Sequence, residues 1–248
     1  MPRPRPLLPD SLRAAGAALL ATCVAVVLVA FAAGRGNPGR LDTALDPRFQ
    51  AWLGRFPALL NWLPHLGELK AVTVLTAALA LACVATRKWS GAVLALVAVP
   101  GAVGLTEYVL KPSVGAVLDQ GFPSGHATSS FALAAVFAIL LTDPAYRRVP
   151  RALRLLLVLI ALLLAAAVAA TMIAIGAHVF TDAVAGAAVG TGVVLACALT
   201  LDLAVRRAWR PAAEQSDPAY PDKASERGHL RAQQVETDSV HSDDQHVA

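Results

Sequence analysis

Apolar residues along this chain come in blocks of about the length that crosses a bilayer, each closed by charge, proline or glycine. Ala14 to Ala33 is apolar throughout. Ala71 to Thr86, Gly91 to Leu110, Ala127 to Leu141, Leu155 to Ile175 and Ala183 to Val205 follow with little interruption. A helix needs about 20 residues to span hydrocarbon, where every backbone polar group must be satisfied within the segment. The pattern therefore predicts six transmembrane helices. Arg87-Lys88, Lys111-Pro112, Asp143-Pro144 and Arg206-Arg207 close four of them, by charge or by the amide that proline lacks.

The stretches between the blocks have a different character. Gly34 to Lys70 mixes Trp52, Phe56 and Trp62 with Arg48, Arg55, His65 and Glu68. That mixture predicts short helices lying at the membrane surface. Met1 to Arg13 is a basic, proline-containing leader, and the first block is longer than the apolar core of a signal peptide, so we read it as a retained helix. Pro211 to Ala248 carries eight acidic residues and few large apolar ones, too little buried surface to offset its ordering entropy. The expected fold class is all-α: a six-helix transmembrane bundle with a short interfacial helical loop and a disordered C-terminal tail. The expected division is a cytoplasmic leader (1–13), a six-span membrane domain (14–210) and a cytoplasmic tail (211–248).

Composition agrees with the pattern. The chain is 56% hydrophobic and 15% charged, with a mean hydropathy of +0.58, which excludes an ordinary soluble domain. The net charge of +4 does not point to nucleic acid, because the basic residues sit in short groups beside the apolar blocks, without an interleaved binding surface. They read as topology signals. With the N-terminus inside, the inner side gets Arg3, Arg5, Arg13, Arg87, Lys88, Arg147, Arg148, Arg151, Arg154, Arg206, Arg207 and Arg210, and the outer side gets Arg35, Arg40, Arg48, Arg55, Lys70 and Lys111. Excess positive charge inside places both termini in the cytoplasm. Cys23, Cys83 and Cys197 lie in three different blocks, without the paired spacing of a disulfide or metal site.

Against this background the polar exceptions carry the chemistry. The first is Gly121-Phe122-Pro123-Ser124-Gly125-His126-Ala127-Thr128, at the start of the fourth block. Ser124 suits a helix N-cap, and the helix start behind it is an anion site by its free amides and dipole. The second is Glu107 with Lys111, four residues apart on one helix face. The third is His178 with Asp182, also four apart, so that the carboxylate can fix the imidazole's tautomer and leave its other nitrogen as nucleophile or base. Each has a plainer reading: a cap, an ion pair easing a helix end, a histidine satisfied by a nearby acid. All three fall on the outer side in the predicted topology, and together they read as phosphoryl-transfer chemistry.

Pro123-Ser124-Gly125-His126, followed by His178-x-x-x-Asp182 and preceded by Lys111, resembles the type-2 phosphatidic acid phosphatase superfamily of lipid phosphate phosphatases, related to vanadium haloperoxidases. The resemblance covers the third to sixth helices, roughly 91–205. It implies a two-step, metal-independent hydrolysis without a cofactor. His178 would attack phosphorus, Asp182 would orient and charge-stabilise it, and His126 would protonate the leaving oxygen. Lys111, Ser124 and the backbone N–H of Gly125 would hold the phosphate.

Two departures accompany the match. The family usually carries an Arg-Pro pair shortly after the lysine and a Ser-Arg pair six residues before the second histidine. This chain has no arginine from Ala116 to Gln120, and Thr171-Met172 stands at the second place. Bidentate Arg contacts to phosphate are not replaced by Met or Ala. One reading is a working phosphatase that borrows charge, from Arg48 or Arg55, or takes a pyrophosphate that Lys111 can hold. The other is a divergent, non-catalytic paralogue that binds a lipid head group or a protein partner. A transporter would need polar residues through several helix centres, which the blocks lack. Expected substrates are membrane lipid phosphates met in the bilayer, such as phosphatidate, diacylglycerol pyrophosphate, phosphatidylglycerophosphate or a polyprenyl pyrophosphate.

Overall fold

A computed structural model describes residues 7–33, 39–114, 121–142 and 149–214. The described residues are helical, with turns and no strand. In order they form α1 (Asp10–Ala33), α2 (Arg40–Leu53), α3 (Pro57–Gly67), α4 (Leu69–Ala85), α5 (Trp89–Gly104), a π-helical stretch (Leu105–Leu110), α6 (Lys111–Val114), α7 (Gly125–Thr142), α8 (Arg151–Ala174) and α9 (Phe180–Glu214). The chain through Val205 is one compact unit; in the second, from Arg206 onward, the described part is the end of α9 up to Glu214. The remainder of the predicted tail, 215–248, lies outside the described residues, as do Arg147 and Arg148 and the stretch from Ala116 to Gln120.

Five helical segments are long and apolar enough to cross a membrane: Asp10–Ala32, Trp89–Val114, Gly125–Thr142, Arg151–Ala174 and Phe180–Arg207. The count becomes six if α3 and α4, bent by 59° at their junction, form one span. This is a multi-pass membrane protein. The predicted second span, Ala71 to Thr86, corresponds to α4, whose 17 residues fall short of the other spans and reach their length and apolarity only together with α3. The third runs on through Glu107 and Lys111 because the π-helical stretch and α6 continue α5. The stretch expected to lie at the membrane surface forms α2 and α3, with Trp52, Phe56 and Trp62 exposed.

The helix core is built from small residues. Leu94, Ala95, Ala98 and Ala102 of α5, Ala132 and Val136 of α7, and Val194 and Ala198 of α9 are essentially inaccessible and pack in one cluster. Without a hydrophobic drive between helices in lipid, close van der Waals contact has to hold them, and small residues permit it. Gly186 and Gly190, one turn apart on α9, show this most sharply. A Cβ on Gly186 would lie 3.0 Å from the Ala127 Cβ and 3.2 Å from the Thr128 nitrogen. One on Gly190 would lie 2.9 Å from the Ala132 nitrogen and collide with the Thr128 carbonyl. α7 and α9 therefore meet backbone to backbone.

At the end of the bundle away from the Gly121–Thr128 stretch, Asp202 of α9 is buried and accepts hydrogen bonds from the amides of Leu7 (2.6 Å) and Leu8 (3.0 Å). Arg13 lies 3.6 Å from the same carboxylate. The helix starts at Asp10 rather than Ala14, and the leader just before it is tied to α9. Cys23 and Leu20 of α1 pack against Gly192, so the first helix is an integral wall of the bundle.

Candidate active site

The turn that delivers His178 is set by glycine. α8 is capped by Ile175, and Gly176 takes φ +75°, the left-handed region that an L side chain rarely adopts. Its amide bonds the Ile173 carbonyl at 3.0 Å, and the Ala177 amide bonds the Met172 carbonyl at 3.0 Å, which together make a Schellman cap. The His178 amide reaches the same Met172 carbonyl at 3.3 Å. The chain thus turns sharply and enters α9, with Asp182 in its first turn.

His178 and Asp182 face one another. The imidazole Nδ1 is 3.6 Å from the Asp182 Oδ2, with both side chains largely buried. That separation is just beyond a hydrogen bond, and among the described residues the buried Nδ1 has no hydrogen-bond partner. Catalytic hydrogen bonds are commonly long before substrate arrives and tighten around it. Because Nδ1 is turned to the acid, Nε2 is the nitrogen available for chemistry.

Glycines at 121 and 125 fit the polar stretch between the two other pairs. A Cβ on Gly121 would lie 3.0 Å from the Asp182 Oδ2 and 3.2 Å from the His178 Nδ1. One on Gly125 would collide with the Glu107 carboxylate and lie 3.6 Å from the Lys111 Nζ. Lys111 donates to both Glu107 oxygens, at 2.7 and 2.9 Å. Ser124, fully buried, precedes α7; its Oγ accepts from the Ala127 amide at 3.4 Å and its carbonyl from the Thr128 amide at 3.0 Å. Its own amide donates to the Asp182 carbonyl at 3.0 Å. The amides of Gly125 and His126, at the first positions of α7, have no acceptor within the helix.

His126 packs on the α3–α4 bend. A Cβ on Gly67 would lie 2.9 Å from the His126 Cδ2, and Ser129, one turn on, donates to the Gly67 carbonyl at 3.1 Å. His178, Glu68, Lys111 and Glu107 are all close enough to act on His126 electrostatically. The residues expected from the sequence, Lys111, Ser124, Gly125, His126, His178 and Asp182, are thus gathered around one stretch of chain.

The PAP2 superfamily profile matches residues 14–206. The chain belongs to the PAP2 superfamily. No curated protein and no solved structure matches it. Typical members of this superfamily are phosphatases acting on lipid phosphates.

Within this PAP2 chain few basic side chains stand near the gathered residues. Met172 is buried and contributes its carbonyl to the His178 turn, and Thr171 beside it is fully buried and bonds the Val168 carbonyl at 2.8 Å. Arg48 and Arg55 are exposed, and among the described residues neither forms an ion pair with the site's carboxylates. Lys111 is held by Glu107. Among the described residues no three His, Cys, Asp or Glu side chains are grouped so as to hold a metal ion.

Sequence reasoning missed several contributors. Asp42 and Asp46 of α2 bond the first amides of α9, a contact across the whole fold with no local signal. Burial pushes the Asp46 carboxyl above its ordinary value; the Phe180 amide opposes the shift, and the charges of Asp42 and Asp182 add to it. Glu68 pairs with His65 at 2.6 Å beside His126. Helical spacing of Asp42, Asp46 and Phe49 was the one available hint, since these share a face of α2.

Proposed function

We propose that this protein is an integral-membrane lipid phosphatase that hydrolyses a phosphomonoester or pyrophosphate through a phosphohistidine on His178, at the extracytoplasmic face. The carrying observation is the placement of the two glycines: Gly121 lies against His178–Asp182 and Gly125 against Lys111–Glu107, so nucleophile, orienting acid and cation converge on one helix N-terminus. A binding protein needs a cation and a helix start, but not a buried imidazole with an acid on one nitrogen.

The chemistry follows from the atoms. His178 Nε2 attacks phosphorus in line with the leaving oxygen; the N–P bond forms as the P–O bond breaks, and His126 gives its proton to the departing oxygen. Asp182 stabilises the positive charge on the phosphorylated ring. In the second step His126 takes a proton from water, whose oxygen attacks phosphorus and releases His178 and inorganic phosphate. Lys111 and the amides of Gly125 and His126 stabilise the charge on the equatorial oxygens, the main service a protein renders to phosphoryl transfer. Ser124 acts as their scaffold.

A lipid substrate is supported by what lies beside His126. An apolar cavity of about 510 Å³ runs between α4, α7 and α8, from Phe137 and Leu164 up to Leu66 and Val168. Leu66 adjoins Gly67, and Val168 is the other side chain that a Cβ on Gly67 would touch, at 2.9 Å. A hydrocarbon chain in this cavity brings its phosphate to the α7 N-terminus. Phosphatidate, diacylglycerol pyrophosphate, phosphatidylglycerophosphate and polyprenyl pyrophosphates all meet that description.

The test is phosphate release from a panel of these lipids by purified protein in detergent, without added metal, beside His178→Ala. Release that depends on His178 is the expected result. Silence toward every lipid, together with saturable binding of one of them, would establish the non-catalytic reading instead.

A further inference from the structure

α2 sits outside every motif that marks the family, yet three of its side chains close on the first turn of α9. Asp42 is 1% exposed, and its carboxylate accepts from the Thr181 amide at 2.8 Å, the Thr181 hydroxyl at 3.0 Å and the Gly39 amide at 2.8 Å. Asp46 accepts from the Phe180 amide at 3.0 Å. Phe49 stacks on the Phe180 ring, with centroids 6.2 Å apart and planes inclined by 23°. Spacings of four and three residues put all three on one face of α2.

We infer that Asp42 and Asp46 are positioning residues for the reaction, clamping the start of α9 so that His178 and Asp182 keep their alignment. Phe180 and Thr181 lie between His178 and Asp182 in sequence, so whatever holds their amides holds the register of the pair. The gap between His178 Nδ1 and Asp182 Oδ2 is already 3.6 Å. A further drift of the turn would separate them. The clamp has a second effect. Free amides at a helix start attract anions, and α9 has such a start beside the nucleophile. Two carboxylates already occupy those amides, which reserves the phosphate for the N-terminus of α7 and keeps it on the side of Nε2.

This inference rests on the phosphatase reading for its kinetic consequence but not for its structural one, so the experiment has two readouts on the full-length protein in detergent. The first is kcat and KM for the lipid phosphate hydrolysed by the wild type, in Asp46→Ala and Asp46→Asn and in the same pair at Asp42. Alanine is expected to lower kcat per folded molecule roughly 10- to 100-fold with KM little changed, and at Asp46 with melting temperature little changed as well, the scale set by misplacing a catalytic group by about an ångström. Asparagine, which keeps an accepting oxygen, is expected to recover part of the loss. An unchanged kcat, a loss that tracks the folded fraction, an effect on KM alone, or asparagine no better than alanine would overturn the inference. Should the buried Asp42 variants fail to fold, the half-exposed Asp46 pair decides alone. The second readout is hydrogen exchange at the Phe180 and Thr181 amides, expected to quicken in the alanine variants. If the wild type releases no phosphate, the phosphatase reading fails, and exchange left unchanged would then defeat the clamp as well.

Discussion

The amide of Ser124 donates to the carbonyl of Asp182 at 3.0 Å, joining the start of α7 directly to the first turn of α9. That bond ties the helix start proposed to bind phosphate to the acid proposed to orient the nucleophile. It forms because α7 and α9 cross at Gly186 and Gly190, where a Cβ would meet backbone that cannot move aside. Gly190→Ala is therefore expected to destabilise the protein by about 1–3 kcal/mol, the usual range for overpacking, and to lower activity beyond the folded fraction. Thermal melting in detergent beside turnover per folded molecule tests this. A variant as stable and active as the wild type would show that the crossing is looser than its contacts.

Replacing the reacting groups separates their roles. His178→Ala should abolish turnover and any acid-labile phosphoenzyme. His126→Gln should lower turnover by roughly 10²- to 10⁴-fold, the range of a lost general acid, with a smaller deficit for a substrate whose leaving group needs no proton. A deficit independent of the leaving group would remove His126 from that role.

Met172 stands where the resemblance leads one to expect an arginine, and its side chain is buried beside the His178 turn. If the site is short of positive charge, Met172→Arg should raise kcat/KM about tenfold or more, since one hydrogen bond between charged groups contributes about 1.5–3 kcal/mol. The initial-rate comparison must be made per folded molecule, because burying a guanidinium that finds no anion is destabilising. Unchanged kcat/KM in a folded variant would show that Lys111 and the α7 amides suffice.

Asp46 makes stability depend on pH in a defined direction. Its carboxyl is raised above the ordinary 3.8, mainly by burial, so folding favours the protonated form. The stabilisation is fully present below pH 3.8 and is lost as pH rises through the raised folded value. Relative to Asp46→Asn, the wild type should lose melting temperature across that acidic window as pH increases. Parallel melting-temperature curves for the two proteins would contradict the assignment.

Gly176 is a conformational requirement without a packing one. A Cβ there would meet nothing within 4 Å, so Gly176→Ala is penalised only by its φ of +75°. The expected loss is about 1–2 kcal/mol of stability, with turnover reduced because the Schellman turn presents His178. Denaturant titration beside phosphate release would reveal it, and an alanine variant of unchanged stability would mean that the turn relaxes.

Much of this protein was legible in one dimension. Apolar blocks marked the candidate spans because hydropathy is local, and a continuous apolar run of about 20 residues satisfies its backbone in hydrocarbon as a helix. The two polar pairs were legible for the same reason: Glu107–Lys111 and His178–Asp182 are each one helical turn apart, so their pairing needs no tertiary knowledge. What the sequence left undecided involves partners far apart along the chain. Only the tertiary structure shows α3 and α4 bending at the residue that packs on His126, or Arg48 and Arg55 remaining exposed while Asp42 and Asp46 of the same loop turn inward to α9. Hydrophobic burial fixes which residues leave water but is indifferent to which polar group meets which. That choice depends on directional hydrogen bonds between segments brought together by small-residue packing, and in this chain it gives the Phe180 and Thr181 amides of α9 to two aspartates.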